Sequence, residues 1–328
     1  MIIEARNLRK RFRVRAARTR TAGAMGALRG MAATPRWRTV AAVDDIDLDV
    51  ARGEAIAFIG PNGAGKSTTI KLLTGILQRD KGSVSVLGLD PQRQRRRLAY
   101  RIGTVFGQKS QLWFHLPPMD TFKLLADIYD LEPRRARERI AALTGVFGIG
   151  RHLATPVRKL SLGERIRCEI AASLIHDPEL LLLDEPTIGL DVVIRQRIRD
   201  LIARVNRERG VTVFLTSHDT GDVEQVCRRA VVINEGRIVW DGAVDELKRS
   251  VLAAKIVDLK LAGPLMLDLP EVTVRHADRY TAKLEVDTAR TQVEAVVRAI
   301  LERNTVLDIT ISDPPLEETI ATLYGDTA

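Results

Sequence analysis

A chain of 328 residues, 45% hydrophobic and 28% charged, has the balance of a globular protein with space for about two domains of roughly 100 to 200 residues, which excludes a mini-protein and wholesale disorder. Its two cysteines, Cys168 and Cys227, stand far apart with no CxxC or Cys/His cluster near either, so neither a disulfide framework nor a structural zinc site is expected and a reducing, cytosolic compartment fits best. The formal net charge of +9 permits attraction to nucleic acid, acidic lipid or an acidic partner without choosing among them.

At the amino end, Glu4 interrupts any signal-peptide pattern, and no apolar run in the chain reaches the ~18 to 20 residues that cross a bilayer. Neither export nor a membrane span is expected. Between Glu4 and Asp44 there is no acid, while basic residues crowd in from Arg6 to Arg38. The part from Arg13 to Arg38 has too few large apolar residues to nucleate a core and is expected to be a loop insertion. A second basic cluster, Arg93 with Arg95, Arg96 and Arg97, follows Pro91. Both clusters fit a solvated face, or else a membrane-proximal or partner-docking surface.

Glu54 to Ile59 is a short apolar run ending at Gly60, expected as a buried strand of a parallel sheet. A glycine-rich turn follows, and Ile70, Leu73 and Leu77 then recur at helical spacing. Such a strand, loop, helix unit binds ligands at the carboxyl end of its strand. Further strands are predicted at Ile102 to Phe106, Leu180 to Leu183 and Val211 to Thr216, and helices over Phe122 to Tyr129, Ile140 to Phe147 and Ile194 to Val205, the alternation of an α/β core. Val231 to Ile233 and Arg237 to Trp240 flank Asn234-Glu235-Gly236 as a hairpin. Beyond about residue 250 the pattern changes to that of a small α+β domain. Strands are predicted at Ile256 to Leu261, Val272 to Arg275, Thr281 to Val286 and Leu307 to Ile311, with helices over Val293 to Leu301 and Leu316 to Leu323.

The segment Gly60-Pro61-Asn62-Gly63-Ala64-Gly65-Lys66-Ser67, with Thr68 next to it, matches GxxxxGK[ST] between a predicted strand and a predicted helix. Backbone N–H groups freed by the glycines converge on a β-phosphate, the helix start adds positive potential, Lys66 bridges β and γ oxygens, and Ser67 offers a hydroxyl to Mg²⁺. The run Leu180 to Leu183 then delivers Asp184 and Glu185 at a strand end, beside the phosphate loop if the two strands are neighbours. Strand alternation points the two side chains apart, giving them different tasks: Asp184 orients Mg²⁺ and Glu185 polarises the attacking water. Leu160-Ser161-Leu162-Gly163-Glu164 lies 20 to 24 residues before Asp184 and opens a helical pattern. Alone it is a capping box, Ser161 with Glu164; a serine and a glycine at a helix start are also a second anion site.

These motifs, in this order, resemble the ATP-binding-cassette ATPases, whose phosphate loop, glutamine loop, LSGGQ signature, acidic strand, D-loop and switch histidine match Gly60 to Ser67, Gln108, Ser161 to Glu164, Asp184 with Glu185, Gly189-Leu190-Asp191 and His218. Leu162 and Glu164 depart from the signature's first glycine and its glutamine. The resemblance implies a P-loop α/β cassette over about residues 1–245, with a RecA-like core, a helical subdomain at about 109–175, an antiparallel β subdomain and the basic insertion at about 13–39. A small α+β domain over 250–328 follows. It also implies ATP and Mg²⁺ as cofactors and a head-to-tail homodimer, in which Ser161, Gly163 and Glu164 of one copy meet the γ-phosphate held by the other. His218 would position the water, Gln108 would sense Mg²⁺, Asp191 would reach across to the second copy, and Phe12 would stack on adenine. The closing Pro315-Leu316-Glu317-Glu318-Thr319 and Leu323-Tyr324-Gly325 resemble the ATPases of ABC-2 type exporters, including the daunorubicin-resistance type. Separate membrane subunits, touching the chain near Gln108 and Phe122 to Tyr129 on the inner face of the cell membrane, are then the implied partners, and nucleic acid is not. The alternatives are an ABC importer ATPase and a non-transport ATPase acting on DNA or ribosomes. The DNA-acting kind interrupts its cassette with a long coiled coil, and no sustained heptads occur here.

Overall fold

The computed structural model describes residues 1–15, 37–107, 110–251, 254–267, 269, 272–288 and 290–312. The chain divides into two units, Met1–Asp241 and Gly242–Ala328.

The first unit begins with a strand pair, β1 (Ile3–Arg15) and β2 (Trp37–Val50). After β3 (Ala55–Ile59) and α1 (Lys66–Leu73), strand β4 (Lys81–Val86) returns to the free side of β1, completing an antiparallel sheet in the order β2-β1-β4. The end of β2 shows why this sheet packs on one face only: Ile46, Leu48 and Val50 are buried, while Asp45 and Asp47, which alternate with them, face solvent. The ends of the basic stretch are strand, since Arg13 pairs with Thr39 and Arg15 with Trp37; the rest of the predicted insertion lies outside the described residues.

A helical segment follows: α2 (Arg95–Ala99), β5 (Ile102–Phe106), α3 (Pro118–Ile128), α4 (Pro133–Phe147) and α5 (Leu162–Ser173). Helices α3 and α4 start earlier than apolar spacing predicts, because proline occupies the first turn of each, where its missing N–H has no intrahelical partner to lose. Glu132 caps α4 by accepting from the N–H groups of Arg134 and Arg135. The chain then runs through β6 (Leu180–Asp184), α6 (Val192–Arg209), β7 (Thr212–Ser217), α7 (Thr220–Val226), β8 (Arg229–Asn234) and β9 (Arg237–Ala243). Together these strands form a six-stranded sheet ordered β5-β6-β7-β3-β8-β9, parallel from β5 through β8. Every residue of β3 and Leu180 to Leu183 of β6 are buried, as expected of strands covered on both faces. Phe58 and Phe214 meet in this core with ring centroids 5.4 Å apart.

An ion pair fixes the connection after β4. Arg79 donates to Asp90 through both terminal nitrogens, at 3.0 and 2.8 Å, and this guanidinium holds the Asp90 carboxyl down at about 2. The stabilisation is full above the unfolded value near 3.8 and is lost as pH falls through about 2. Asp90→Asn is therefore expected to cost about 2 kcal/mol at neutral pH, with the gap to wild type closing between about pH 4 and 2. Urea unfolding of both proteins across that range checks it.

The second unit contains α8 (Val244–Val251), β10 (Ala254–Leu261), β11 (Val272–Ala277), β12 (Thr281–Asp287), α9 (Val293–Arg303) and β13 (Val306–Ser312). Its strands form an antiparallel sheet ordered β11-β12-β10-β13. Val296 and Ile300 of α9 pack with Val257, Leu259 and Leu284 of the sheet in one core. The helix predicted at Leu316 to Leu323, and the Pro315 to Gly325 pattern, lie outside the described residues.

Candidate active site

Strand register builds the site. At the carboxyl ends of three parallel strands, Ile59 of β3 lies opposite Ser217 of β7, and Thr216 of β7 opposite Asp184 of β6. The glycine-rich loop and the acidic pair are therefore on one edge of the sheet, but their strands are not neighbours: β7 lies between them. On that intervening strand Thr216 anchors the acidic pair, its hydroxyl donating to Asp184 at 2.7 Å and accepting from the Glu185 N–H at 3.2 Å. No sequence signal marked Thr216, which sits inside an apolar strand.

The loop from Gly60 to Ser67 borders a cleft of about 460 Å³, lined by Pro61, Asn62, Gly63, Gly65, Lys66, Ser67 and Thr68 together with Lys71, Ile76, Phe106, Gly107, Asp184 and Glu185. Gly65 has a φ of 113°, and a Cβ there would lie 2.3 Å from the Ala42 carbonyl oxygen, so a side chain is excluded on both counts. Gly60 and Ala64 complete the loop, Ala64 being buried. Lys66 is only 5% exposed. Its ammonium donates to the carbonyls of Gly60 at 2.7 Å and Pro61 at 3.2 Å and sits 3.3 Å from Glu185 Oε1. The Ser67 hydroxyl donates to Asp184 Oδ1 at 3.1 Å.

Simple strand alternation would send Asp184 and Glu185 to opposite faces, yet both line the cleft. The strand ends at Asp184, and Glu185 takes a left-handed φ of 51° that swings its side chain back toward the loop. Its Oε2 then lies 3.4 Å from His218 Nδ1, the imidazole being half exposed.

Ser161 caps α5: its hydroxyl accepts from the Glu164 N–H at 3.3 Å, while the Ser161 N–H donates to the Glu164 carboxylate at 3.0 Å and holds that carboxyl below its usual range. The capping box is thus present. At Gly163 a Cβ would come within 2.4 Å of the Ile194 methyl, so glycine allows α5 to approach α6. Asp191 caps α6 by accepting from the Ile194 N–H at 3.0 Å. None of Ser161, Gly163, Glu164 and Asp191 is among the residues lining the cleft of the same chain.

Phe12 sits on β1 opposite Val40, with the Lys10 ammonium 5.5 Å from its ring centroid, and does not line the cleft. Gln108 lies outside the described residues, although Gly107 before it borders the cleft. Within the predicted partner-contact helix, Phe122 is fully buried and unavailable to a partner; Trp113, Phe114, Leu116 and Ile128 are exposed apolar side chains nearby. Among the described residues, no helix is long and apolar enough to cross a membrane.

Known proteins resemble the chain over most of its length. A profile of the ABC transporter family matches residues 43–188. The daunorubicin resistance ATP-binding protein DrrA3 of Streptomyces coeruleorubidus is 36% identical over 301 residues, 90% of this chain and 94% of that protein. The bacitracin transport ATP-binding protein BcrA of Bacillus licheniformis is 30% identical over 89% of this chain and 95% of its own length. Among solved structures, cbiO1 of Clostridium perfringens, part of the ABC transporter complex cbiONQ, aligns with a TM-score of 0.60 at 27% identity over 76% of this chain and 94% of its own. The cassette MJ0796, solved as a dimer bound to ADP and phosphate, shares the fold at 22% identity and a TM-score of 0.60, over 74% of this chain and 98% of its own. With its glycine-rich loop, acidic strand end and near full-length likeness to such proteins, the chain belongs to the ATP-binding subunits of ABC transporters and is an ATPase.

Proposed function

We propose that the chain powers an exporter: two copies, head to tail, hold two ATP molecules between them and drive separate ABC-2 type membrane subunits from the inner face of the cell membrane. The observation that carries this reading is the convergence of Lys66, Ser67, Asp184 and Glu185 on one cleft, with His218 beside Glu185. The names of DrrA3 and BcrA, a resistance and a transport protein, support export. In this reading residues 1–245 are the cassette, with its insertion at about 13–39 and helical subdomain at about 109–175, and residues 250–328 an accessory domain.

The triphosphate lies along the N–H groups of the Gly60 to Ser67 loop and the start of α1, where backbone dipoles favour anions. Lys66 exchanges its two carbonyl partners and Glu185 for β and γ oxygens. Ser67 Oγ and Asp184 Oδ1, 3.1 Å apart, are the hard oxygen donors that suit Mg²⁺ and would hold it with Gln108, and the ion when bound offsets charge on the transferring phosphoryl group. Glu185 takes the proton of the attacking water, and His218 keeps that water and the γ-phosphate aligned. Ser161, Gly163, Glu164 and Asp191 act on the other copy's nucleotide, and Phe12 covers adenine. The exposed Trp113, Phe114 and Leu116, close after Gln108 in the chain, form the apolar surface for the membrane subunits.

A mixed cross-link tests the arrangement. Burial pushes the Cys168 thiol up to about 12 and the Cys227 thiol higher still, so neither native cysteine competes. Asn62→Cys and Ser161→Cys proteins, mixed in a Glu185→Gln background, are expected to form a disulfide-linked dimer with ATP and not without it. Absence of that dimer contradicts the head-to-tail reading. For export, cells carrying the chain with its membrane subunits should lose efflux on Glu185→Gln.

A further inference from the structure

A buried polar network joins the loops on which this chemistry depends. Asp222 of α7 is wholly buried, and its carboxylate is fully engaged. Oδ2 accepts the Thr187 hydroxyl at 2.5 Å and the Ser217 hydroxyl at 2.6 Å, while Oδ1 accepts Arg199 Nε at 2.6 Å. Arg199, itself buried, also donates to Asp219 Oδ1 at 2.8 Å. One turn earlier on α6, Arg195 pairs with Asp219 and donates to the Leu190 carbonyl at 3.1 Å.

The positions of these partners are what matters. Thr187 lies two residues after Glu185, Ser217 and Asp219 stand on either side of His218, and Leu190 immediately precedes Asp191. An ion pair serving stability alone would need only Arg199 and Asp222. Here the carboxylate also takes a hydroxyl from each of two segments, one leaving Glu185 and one entering His218, in short charge-assisted bonds that fix direction as well as distance.

We infer that Asp222 is a positioning residue for ATP hydrolysis: through Thr187 and Ser217 it sets Glu185 and His218 against each other, and Arg195 and Arg199 carry the same brace to the Leu190–Asp191 turn. The inference rests on the reading of Glu185 and His218 as the hydrolytic pair. A shift of the Leu190–Asp191 turn, which in that reading faces the second copy, is thereby passed to His218 through two guanidinium groups rather than through the nucleotide.

The test is carried on the hydroxyls, because changing Asp222 strands a buried guanidinium and endangers folding. Thr187→Val and Ser217→Ala each remove one hydroxyl and leave the Arg199–Asp222 pair intact. In the full chain each is expected to lower kcat about 5- to 30-fold, with ATP affinity within about twofold of wild type and the melting temperature lowered by only a few degrees, leaving the protein folded at assay temperature. Thr187→Ser, which keeps the hydroxyl, should restore turnover. In a His218→Ala background the loss caused by Ser217→Ala should shrink to less than about twofold, since that arm of the brace acts through the histidine. Wild-type kcat in both hydroxyl variants, full additivity with His218→Ala, or a kcat loss matched by lost affinity or folding overturns the inference. Unchanged turnover in His218→Ala alone instead removes the underlying reading of the pair, and the two failures are told apart by reading Thr187→Val with His218 present.

Discussion

Replacing Glu185 with Gln is expected to lower steady-state ATP hydrolysis by about 10²- to 10⁴-fold, the usual contribution of a positioned general base, while ATP affinity stays near wild type. Glutamine keeps the length and planar shape of the side chain and can still hydrogen-bond to His218, which lies 3.4 Å away, but it cannot take a proton from water. In the proposed head-to-tail arrangement ATP is then expected to bind, two copies to close on it, and the closed dimer to accumulate. Turnover by phosphate release and dimer formation by light scattering, each with and without Mg-ATP, read the two halves of this result. Unchanged hydrolysis would falsify the general-base assignment.

Lys66→Ala is expected to remove detectable ATP binding, and with it hydrolysis. The ammonium is held at the cleft floor by two loop carbonyls and Glu185, so it shapes the loop as well as offering charge. Its loss leaves the Glu185 carboxylate facing His218 alone, and two loop carbonyls lose their donor. The apo protein should consequently melt lower than wild type and gain no protection from Mg-ATP, while wild type gains stability in proportion to ligand occupancy. Titration with a fluorescent ATP analogue, beside melting curves with and without nucleotide, checks both parts. Retained affinity in a folded Lys66→Ala protein would take the phosphate cradle away from this loop.

The site was legible where chemistry needs fixed residue types at fixed spacing in one stretch of chain. The glycine-rich loop, the acidic pair and the Ser161–Glu164 cap all meet that condition, and the buried strands behind them are unbroken apolar runs. Contacts made by tertiary packing left no such mark. Thr216 reads as one more β-branched strand residue, yet from β7, the strand between β6 and β3, it holds both Asp184 and the Glu185 N–H. Asp222 reads as an ordinary acid in the first turn of a short helix, and only packing against α6 reveals it as the centre of a buried network. The strands at the amino end are masked in the sequence for a different reason. Basic composition dominates that stretch, while the alternation from Asp45 to Val50, a plain period-two pattern, carries the strand signal. The expected separation of Asp184 and Glu185 failed because alternation stops with the strand, one residue too early for it to apply.

The left-handed backbone at Glu185 sets the demands of folding against those of turnover. A residue with a Cβ pays about 1 to 2 kcal/mol to sit there, and glycine or asparagine would sit more comfortably. Mutagenesis campaigns that rank variants by heat resistance will consequently favour replacements at this position that disarm the enzyme, so any screen for a sturdier form must score phosphate release alongside survival.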